Sequence, residues 1–395
     1  MNSLTSLLKL TSAEKDIRGI AYTPQEITQQ PATWRQTWAS ISTRIKEIRA
    51  FLTAVGVETQ SASRPTVYLV GAGTSDYIGH SLHHLLRKQW QCDVIPVSST
   101  DLLINFADYV LEDRPYLWIS FSRSGDSPEG VAVLERALAE RPQISHLVVS
   151  CNASGQMSQI IRDRSNCLGI VLDDATNDRG LAMTSSFTNM VVAGQALAHA
   201  WSPETYEKTL HDLSEAGEAF LPVAANLAEQ LAAKRYPRAC FIGSGALAGT
   251  ALESSLKLLE LSAGKTKTMS QATLALRHGP MAALDSETLF VSFLSTQNTT
   301  QRYEIDLIRE IERKRLVGAS LAVLGCGAAQ LPHLESTQIV APNGHWMIGD
   351  LYRPVIDTLF GQLLGLFFSL QWGLTPDSPS PNGAISRVVQ PIEIY

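Results

Sequence analysis

The sequence predicts an α/β protein of two tandem domains, each a parallel sheet flanked by helices in a three-layer αβα sandwich. Two observations support this fold class. Short, continuously apolar strands alternate with helical segments, which is typical of parallel sheets because helices cover both faces of every strand. The same pattern occurs twice along the 395 residues, a length that is sufficient for two packed cores.

Apolar segments define the two copies of this pattern. Those of the first copy are 66–71, 92–97, 116–121, 146–151 and 168–173. In the second copy, 238–245 matches 67–73, 289–295 matches 117–123, and 321–326 matches 146–151. Because the spacing between matched segments is nearly the same, we interpret the two domains as a duplication.

The division of the chain follows from these segments. We predict an N-terminal helical extension at 1–60, a first domain at 61–205, a second domain at 206–375, and a C-terminal tail at 376–395 that closes on the active site. Within the extension, Thr11 and Ser12 are expected to cap a first helix. Apolar residues at helical spacing predict a second, amphipathic helical run over 34–55.

Composition restricts the class of function. The net charge is −6 and no run of basic residues occurs, so we expect neither a nucleic-acid partner nor a membrane partner. The five cysteines form no CxxC pair, and the N-terminus lacks the pattern of a secretory signal, which together indicate a cytoplasmic protein with buried thiols. The apolar stretch 359–374 contains glutamines and is shorter than a membrane span, so it is expected to be a buried helix.

Two hydroxyl-rich turns follow strands of the first copy and precede helices. They supply Thr74 and Ser75 from GAGTS, and Ser122, Ser124 and Ser127 from SRSGDS. Each turn alone is equally well explained by helix capping. Together, at the carboxyl ends of parallel strands, they predict a phosphate site made of hydroxyls and helix N-terminal N–H groups.

The motifs of nucleotide cofactors are missing from these turns. GAGTS is not a dinucleotide fingerprint, and the sequence has no GK[ST] motif, so we expect no cofactor. No cluster of residues has metal-ligand spacing, so we expect no metal. The corresponding turn of the second copy, STQN at 295–298, has no glycine, and we therefore predict one phosphate site per chain.

The helix after GSG in the second copy carries a candidate acid–base set. Glu253, Lys257 and Glu260 share one helix face at i, i+4 and i, i+3 spacing. This pattern is either a solvated charge ladder or a buried working group. Leucines on nearly every side favour burial, and a partly buried glutamate suits proton transfer near neutral pH. A further candidate is His278, which the following Gly–Pro pair can hold in a fixed turn.

Taken together, these motifs resemble the sugar isomerase (SIS) domain family, including the isomerase half of glucosamine-6-phosphate synthase. Within that family, the stretches ISFSRSGDSPEGV, DRGLAMTSSFT and ESSLKLLELSAGKT are most similar to the bacterial galactosamine-6-phosphate deaminase/isomerases, also called tagatose-6-phosphate ketose/aldose isomerases. The resemblance covers 66–395 and, for this subfamily, extends over the N-terminal helices.

The resemblance implies roles for individual residues. Glu260 shuttles a proton between sugar C1 and C2, Lys257 handles a hydroxyl proton, and His278 opens the ring while reaching into a neighbouring subunit. The 122–127 loop binds the phosphate and includes Arg123, where the synthase has glutamine. Further candidates are Glu253 as a catalytic residue and Ser185 and Arg387 as substrate contacts. A homodimer or higher homo-oligomer with a shared active site is also implied.

The stretch 183–188 lacks a lysine that the synthase has, which argues against synthase activity. The chemistry expected from the resemblance is conversion of galactosamine 6-phosphate and water into tagatose 6-phosphate and ammonia. Three alternatives stay open at this point: a plain ketose/aldose isomerase, a deglycase that cleaves a sugar–amine adduct, and a sugar-phosphate sensor without catalysis. The sequence does not determine the preference between galacto and gluco configurations.

Overall fold

The computed structural model describes residues 2–58, 64–328, 333–390 and 392–395. The predicted start of the first domain at residue 61 lies outside the described residues. Within them, ten strands are β1 Thr66–Gly71, β2 Val94–Ser98, β3 Tyr116–Ser122, β4 Ser145–Ser150, β5 Cys167–Val171, β6 Arg238–Gly243, β7 Lys267–Ala272, β8 Thr288–Phe293, β9 Ala319–Val323 and β10 Thr337–Val340.

Fifteen α-helices are described in the same part of the chain. They are α1 Ser3–Leu8, α2 Ser12–Arg18, α3 Thr23–Thr28, α4 Gln30–Thr43, α5 Ile45–Ala54, α6 Thr74–Trp90, α7 Ser99–Ile104, α8 Phe106–Tyr109, α9 Pro128–Glu140, α10 Gln156–Ile160, α11 Ser185–Ala198, α12 Pro203–Ala232, α13 Ala246–Leu261, α14 Asn298–Lys314 and α15 Pro354–Gln371. Short 3-10 turns occupy Thr273–Arg277 and Pro280–Ala283.

Two compact units contain these elements. The first-sheet unit comprises Thr33–Asn177, Ser185–Lys208 and Ser386–Tyr395, and the second-sheet unit comprises Met1–Ala32, Asp178–Thr184 and Thr209–Ile385. The first-sheet unit has a parallel sheet in the order β2-β1-β3-β4-β5. The second-sheet unit has a parallel sheet in the order β10-β9-β8-β6-β7. The predicted fold class is therefore confirmed.

Read from its opposite edge, the second sheet has the same strand order as the first. The turns after β1 and β6 also agree in detail. Gly73 and Gly245 cap α6 and α13 with nearly identical backbone angles, φ 55° and ψ −124° against φ 57° and ψ −128°. A side chain at Gly71 or Gly243 would collide with the backbone of the following turn, at 2.3 and 2.2 Å respectively. These matching constraints are what a duplicated domain requires.

Helix α15 lies in the core of the second-sheet unit, as the sequence predicted for 359–374. By length and composition it is the one helix among the described residues that could span a membrane, but 89% of its apolar window is buried inside the protein. It packs against α13. Glycines allow this close contact, because a Cβ at Gly361 would lie 2.3 Å from Ser254 Oγ, and one at Gly365 would lie 2.6 Å from Leu261 Cδ1.

The helical run predicted over 34–55 is present as parts of α4 and α5, which are divided at Arg44. The Arg44 side chain bonds the Gly169 carbonyl at 2.9 Å and pairs with Glu47 at 2.8 Å. The apolar pattern missed β7 and β10. Strand β7 is a polar edge strand with mostly half-buried residues, and β10 has four residues, so neither has the continuous apolar run that identified the central strands.

Candidate functional site

The 71–75 turn brings two hydroxyls to the carboxyl edge of the first sheet. Thr74 and Ser75 open the seventeen-residue helix α6 and are both buried. Gly73, in a left-handed conformation that favours glycine, lets the chain turn directly from β1 into the helix. The turn therefore combines two hydroxyls with the N-terminal end of a long helix, whose dipole favours an anion.

The 122–127 loop follows β3, the neighbour of β1, and orients its serines through its own backbone. Ser122 Oγ accepts a hydrogen bond from the Gly125 N–H at 3.0 Å, and Ser124 Oγ accepts one from the Asp126 N–H at 3.1 Å. Because both oxygens act as acceptors here, their hydroxyl hydrogens are available to donate to an anion.

Ser127 differs from these two serines, since its hydroxyl donates to Glu129 at 3.1 Å. It caps the N-terminus of α9, where Pro128 occupies the first helical position. To bind an anion, Ser127 would exchange the Glu129 carboxylate for the ligand as its acceptor.

A second loop, 150–157, holds the 122–127 loop in place, and sequence reasoning missed it. Asn152 Nδ2 donates to the Ser124 carbonyl at 2.8 Å, and the Met157 N–H donates to the Gly125 carbonyl at 2.9 Å. Gly155 packs so closely that a Cβ there would lie 2.4 Å from the Ser124 carbonyl oxygen. A signal was present in NASG, a turn-forming run directly after β4, but its partner could not be identified without the fold.

Arg123 and Arg387 meet beside this loop within the first-sheet unit. The buried guanidinium of Arg123 donates to the Arg387 main-chain carbonyl, and the Arg387 guanidinium donates to Asn177 Oδ1 at 2.8 Å. The structure therefore shows a bond from Arg123 to the C-terminal tail. Asn177 is a further residue of this cluster that the sequence analysis did not identify.

Helix α13 presents the predicted Glu253–Lys257–Glu260 set in the second-sheet unit. Lys257 Nζ lies 2.5 Å from Glu260 Oε2 and 3.4 Å from Glu253 Oε1. The Glu253 and Lys257 side chains are 0% and 1% exposed, whereas that of Glu260 is 23% exposed. The solvated charge ladder is thus excluded for two of the three residues, and Glu260 is the member that a substrate can reach.

His278 lies on an exposed turn of the same unit, between the two 3-10 turns. Gly279 follows with φ 122°, a conformation that favours glycine, so the position of the imidazole depends on this residue. Within the described part of the chain, His278 makes no side-chain hydrogen bond or ion pair. It is therefore not joined to Lys257 or Glu260 by such a bond.

The remaining candidates are less informative. Ser185 is fully buried at the start of α11, where its carbonyl accepts a hydrogen bond from Asn189 at 2.8 Å. Among the described residues, one exposed group on α12 could hold a metal ion: His211, Asp212 and Glu215. None of these three belongs to the predicted site.

The 295–298 loop after β8 corresponds to the 122–127 loop but binds carboxylates of its own chain. Asp350 Oδ1 accepts from the Thr296 N–H at 3.0 Å and from Thr296 Oγ1 at 2.8 Å, and Asp350 Oδ2 accepts from Ser295 Oγ. The Ser295 N–H donates to Glu304 at 2.7 Å. Arg353, fully buried, donates to Asp350 at 3.1 Å.

These contacts affect how the carboxyl groups titrate. Burial alone would raise the pKa of Asp350, but the Arg353 charge and the hydrogen bonds from Ser295 and Thr296 outweigh it and lower the pKa below its ordinary value. Burial raises the pKa of Glu304 to about 7. The 295–298 loop therefore encloses the carboxylate of Asp350, which is ionised at neutral pH.

Comparison with known proteins agrees with this architecture. D-galactosamine-6-phosphate deaminase AgaS of Escherichia coli O157:H7 is 33% identical over 379 residues, 95% of this chain and 95% of that protein. The enzyme of the same name from Shewanella sp. strain ANA-3 is 32% identical over 99% of this chain and 96% of its own length. No protein-family model matches the chain.

A solved structure gives the same result in three dimensions. Tagatose-6-phosphate ketose/aldose isomerase from Escherichia coli superposes with a TM-score of 0.81 and 32% sequence identity, over 90% of this chain and 94% of that one. This sequence identity, over most of both chains, indicates that the two proteins share a common ancestor across both domains. The chain belongs to the D-galactosamine-6-phosphate deaminase AgaS family of sugar isomerase (SIS) domain proteins.

Proposed function

We propose that this protein converts D-galactosamine 6-phosphate and water into D-tagatose 6-phosphate and ammonia. The assignment of the substrate is supported by the family, because its named relatives are D-galactosamine-6-phosphate deaminases. The observation that carries the chemistry is the buried lysine between two glutamates on α13, with one glutamate still reachable. Such an arrangement suits a reaction made of proton transfers.

The reaction divides into steps that each move protons. The sugar ring opens to give an aldehyde at C1 and an amine at C2. A base removes the C2 proton to give an enol-amine, and return of a proton to C1 gives an imine at C2. Water adds to the imine and ammonia leaves, which places the ketone at C2. General acid–base catalysis by a positioned group contributes about 10²–10⁴-fold to such a rate.

Glu260 is the base in this proposal. It is the exposed member of the set, and its carboxylate lies 2.5 Å from the Lys257 ammonium. The ammonium can supply a proton to the sugar oxygen as negative charge develops there.

Glu253 has a different role, as a positioning residue. Its side chain is fully buried and lies 3.4 Å from Lys257, so it acts on the lysine rather than on the sugar. A buried ammonium needs such a partner, because an unpaired charge in the protein interior is costly.

The 71–75 turn and the 122–127 loop bind the 6-phosphate. This assignment is supported by the hydroxyls that lie at the carboxyl ends of the adjacent strands β1 and β3. The hydroxyls of Ser122 and Ser124 have hydrogens available to donate to an anion. Arg123 and Arg387 add positive charge beside the loop, and the bond between them joins the tail to it. Phosphate binding orients the sugar for the proton transfers.

His278 assists ring opening, and we propose that it serves the active site of a second copy of the chain. Its exposure and its lack of a partner in the described residues support this assignment. Co-expression of Glu260→Gln and His278→Ala chains tests it, because mixed dimers would contain one intact shared site and recover activity. Confirmed mixed dimers without activity would contradict a shared site.

A panel of hexosamine 6-phosphates, assayed for ammonia and for ketose 6-phosphate, tests the function. We expect equal amounts of both products from the galacto substrate. The relative named a ketose/aldose isomerase makes a plain isomerase the second candidate. Interconversion of galactose 6-phosphate and tagatose 6-phosphate, without ammonia from any amino sugar, would favour that candidate instead.

A further inference from the structure

A cleft of about 700 Å³ lies at the amino-terminal ends of β1, β2 and β3 in the first-sheet unit. Thr66, the first residue of β1, lines it together with residues that directly precede β2 and β3. The volume is in the range of clefts that bind small molecules. We call this feature the basal cleft.

Cations from separate parts of the sequence converge on the basal cleft. Arg64 precedes β1, Arg87 and Lys88 belong to the last turn of α6, and Arg114 precedes β3. Asp93 is the one acidic residue among the described residues of the lining. The cleft is therefore strongly positive on a protein whose net charge is −6, a contrast that attracts anions to this position.

Interactions within the protein account for part of this charge. Arg64 donates to the Gln91 carbonyl at the end of α6, and Arg87 pairs with the exposed Asp93 at 3.5 Å. Basic residues in the last turn of a helix also offset its dipole. Lys88 and Arg114, in contrast, form no ion pair in the described part of the chain, and both are exposed.

The lining also indicates the chemistry of a ligand. Among the described residues that line the cleft, none is a Phe, Tyr or Trp on which a nucleobase could stack. Its other members include His84, a hydrogen-bonding group whose pKa is lowered by burial and by the nearby Arg87 charge. Guanidinium and ammonium groups without an aromatic platform are suited to phosphate groups on a small polar molecule.

The basal cleft is separate from the candidate phosphate loops. Strand β1 runs from Thr66 at the cleft to Gly71 at the 71–75 turn, and six extended residues span about 17 Å. One sugar phosphate cannot contact both ends. We propose that the basal cleft is a second anion site, which binds a phosphorylated small molecule independently of the active site.

Titration calorimetry with inorganic pyrophosphate tests this proposal on the full-length protein. The Ser124→Ala, Ser127→Ala variant serves as background, since it weakens binding at the 122–127 loop. Lys88→Gln with Arg114→Gln removes the two cations of the cleft that form no ion pair. Lys46→Gln with Arg162→Gln is the matched control, because it removes two exposed cations of the same unit that do not line the cleft.

We expect the background variant to bind pyrophosphate, with a dissociation constant that the cleft substitutions raise about tenfold, as loss of two exposed charge contacts predicts. The matched control should leave it unchanged. Absence of binding in the background variant, or an equal loss in the control, would overturn the proposal. In an otherwise natural chain, the cleft substitutions should leave turnover of the sugar phosphate unchanged, so this test does not depend on the proposed reaction.

Discussion

The loops after β3 and β8 occupy corresponding positions in two sheets of the same strand order, yet they satisfy their polar groups differently. In the 122–127 loop, serine oxygens accept from the backbone, and neutral groups of the 150–157 loop hold it in place. In the 295–298 loop, backbone and hydroxyl groups donate to Asp350 and Glu304. In the first copy Ser122 and Ser124 thus keep hydroxyl donors for an external anion, although Ser127 donates to Glu129, whereas the 295–298 loop binds a carboxylate with both of its hydroxyls.

This difference is a physical argument for the prediction that only one of the two duplicated loops binds the substrate phosphate. A carboxylate held by an N–H and two hydroxyls makes contacts of the type that a phosphate would make at the same loop. Asp350 is therefore an internal substitute for a phosphate oxygen, and Arg353 supplies its counter-charge. The 295–298 loop thus binds an anion of its own chain, and we predict that it contributes to stability rather than to ligand binding.

The largest expected effect comes from removing the serine hydroxyls of the first loop. Ser124→Ala with Ser127→Ala should raise KM about 100-fold or more, since each hydrogen bond to a charged group contributes about 1.5–3 kcal/mol. Steady-state kinetics on galactosamine 6-phosphate measures this effect. An unchanged KM would place the phosphate elsewhere and would show that the 122–127 loop does not differ from the 295–298 loop in binding it.

The next largest effect is expected at the 295–298 loop, which binds Asp350. Asp350→Asn should lower the free energy of unfolding by about 3 kcal/mol, because it leaves Arg353 with one fewer charged partner and weakens the contacts to Ser295 and Thr296. KM should not change. Urea unfolding measures the free energy of unfolding, and steady-state kinetics measures KM. A large rise in KM with unchanged stability would show that the 295–298 loop binds substrate.

The effect of Asp350→Asn on stability should also depend on pH. The pKa of Asp350 is lowered in the folded protein, so its ionised form stabilises the fold above the ordinary pKa of 3.8. That contribution is lost as pH falls through the lower, folded-state pKa. The stability difference between the natural protein and Asp350→Asn should thus shrink as pH falls below about 4. A difference that does not shrink there would contradict the assigned charge state.

The smallest effect is expected at the contact that holds the first loop. Asn152→Ala removes the 2.8 Å bond to the Ser124 carbonyl, and the loss of one neutral hydrogen bond, about 1 kcal/mol, should raise KM several-fold with kcat nearly unchanged. Asn166→Ala is a control, because Asn166 bonds carbonyls at the other end of the sheet. Equal effects of the two substitutions on KM would indicate general destabilisation.

The sequence predicted the features that repeat or are strongly apolar. Strands β1, β3, β4, β6, β8 and β9 have buried runs that identify them, and the duplication followed from their spacing. The polar edge strand β7 has no such run and was missed. The burial of Lys257 was also predicted correctly, because leucines flank it in the sequence and its side chain is 1% exposed in the fold.

What the sequence could not predict depends on contacts between distant residues. Asn152 holds Ser124, and Asp350 enters the 295–298 loop, through separations of 28 and 54 residues that no local pattern reveals. The basal cleft is a similar case, because its cations come from three segments and form no basic run. The boundaries of the domains and the roles of individual site residues stay predictions.

In the proposed reaction, Glu260 carries the proton between C2 and C1 of the amino sugar during a deaminating isomerisation. The most direct test measures ammonia and tagatose 6-phosphate formed from galactosamine 6-phosphate by the natural protein and by Glu260→Gln. We predict equal amounts of both products from the natural protein, and from the variant a rate at least about 100-fold lower with binding of the sugar phosphate retained. Turnover by the variant near the natural rate, or ketose formed without ammonia, would contradict the account.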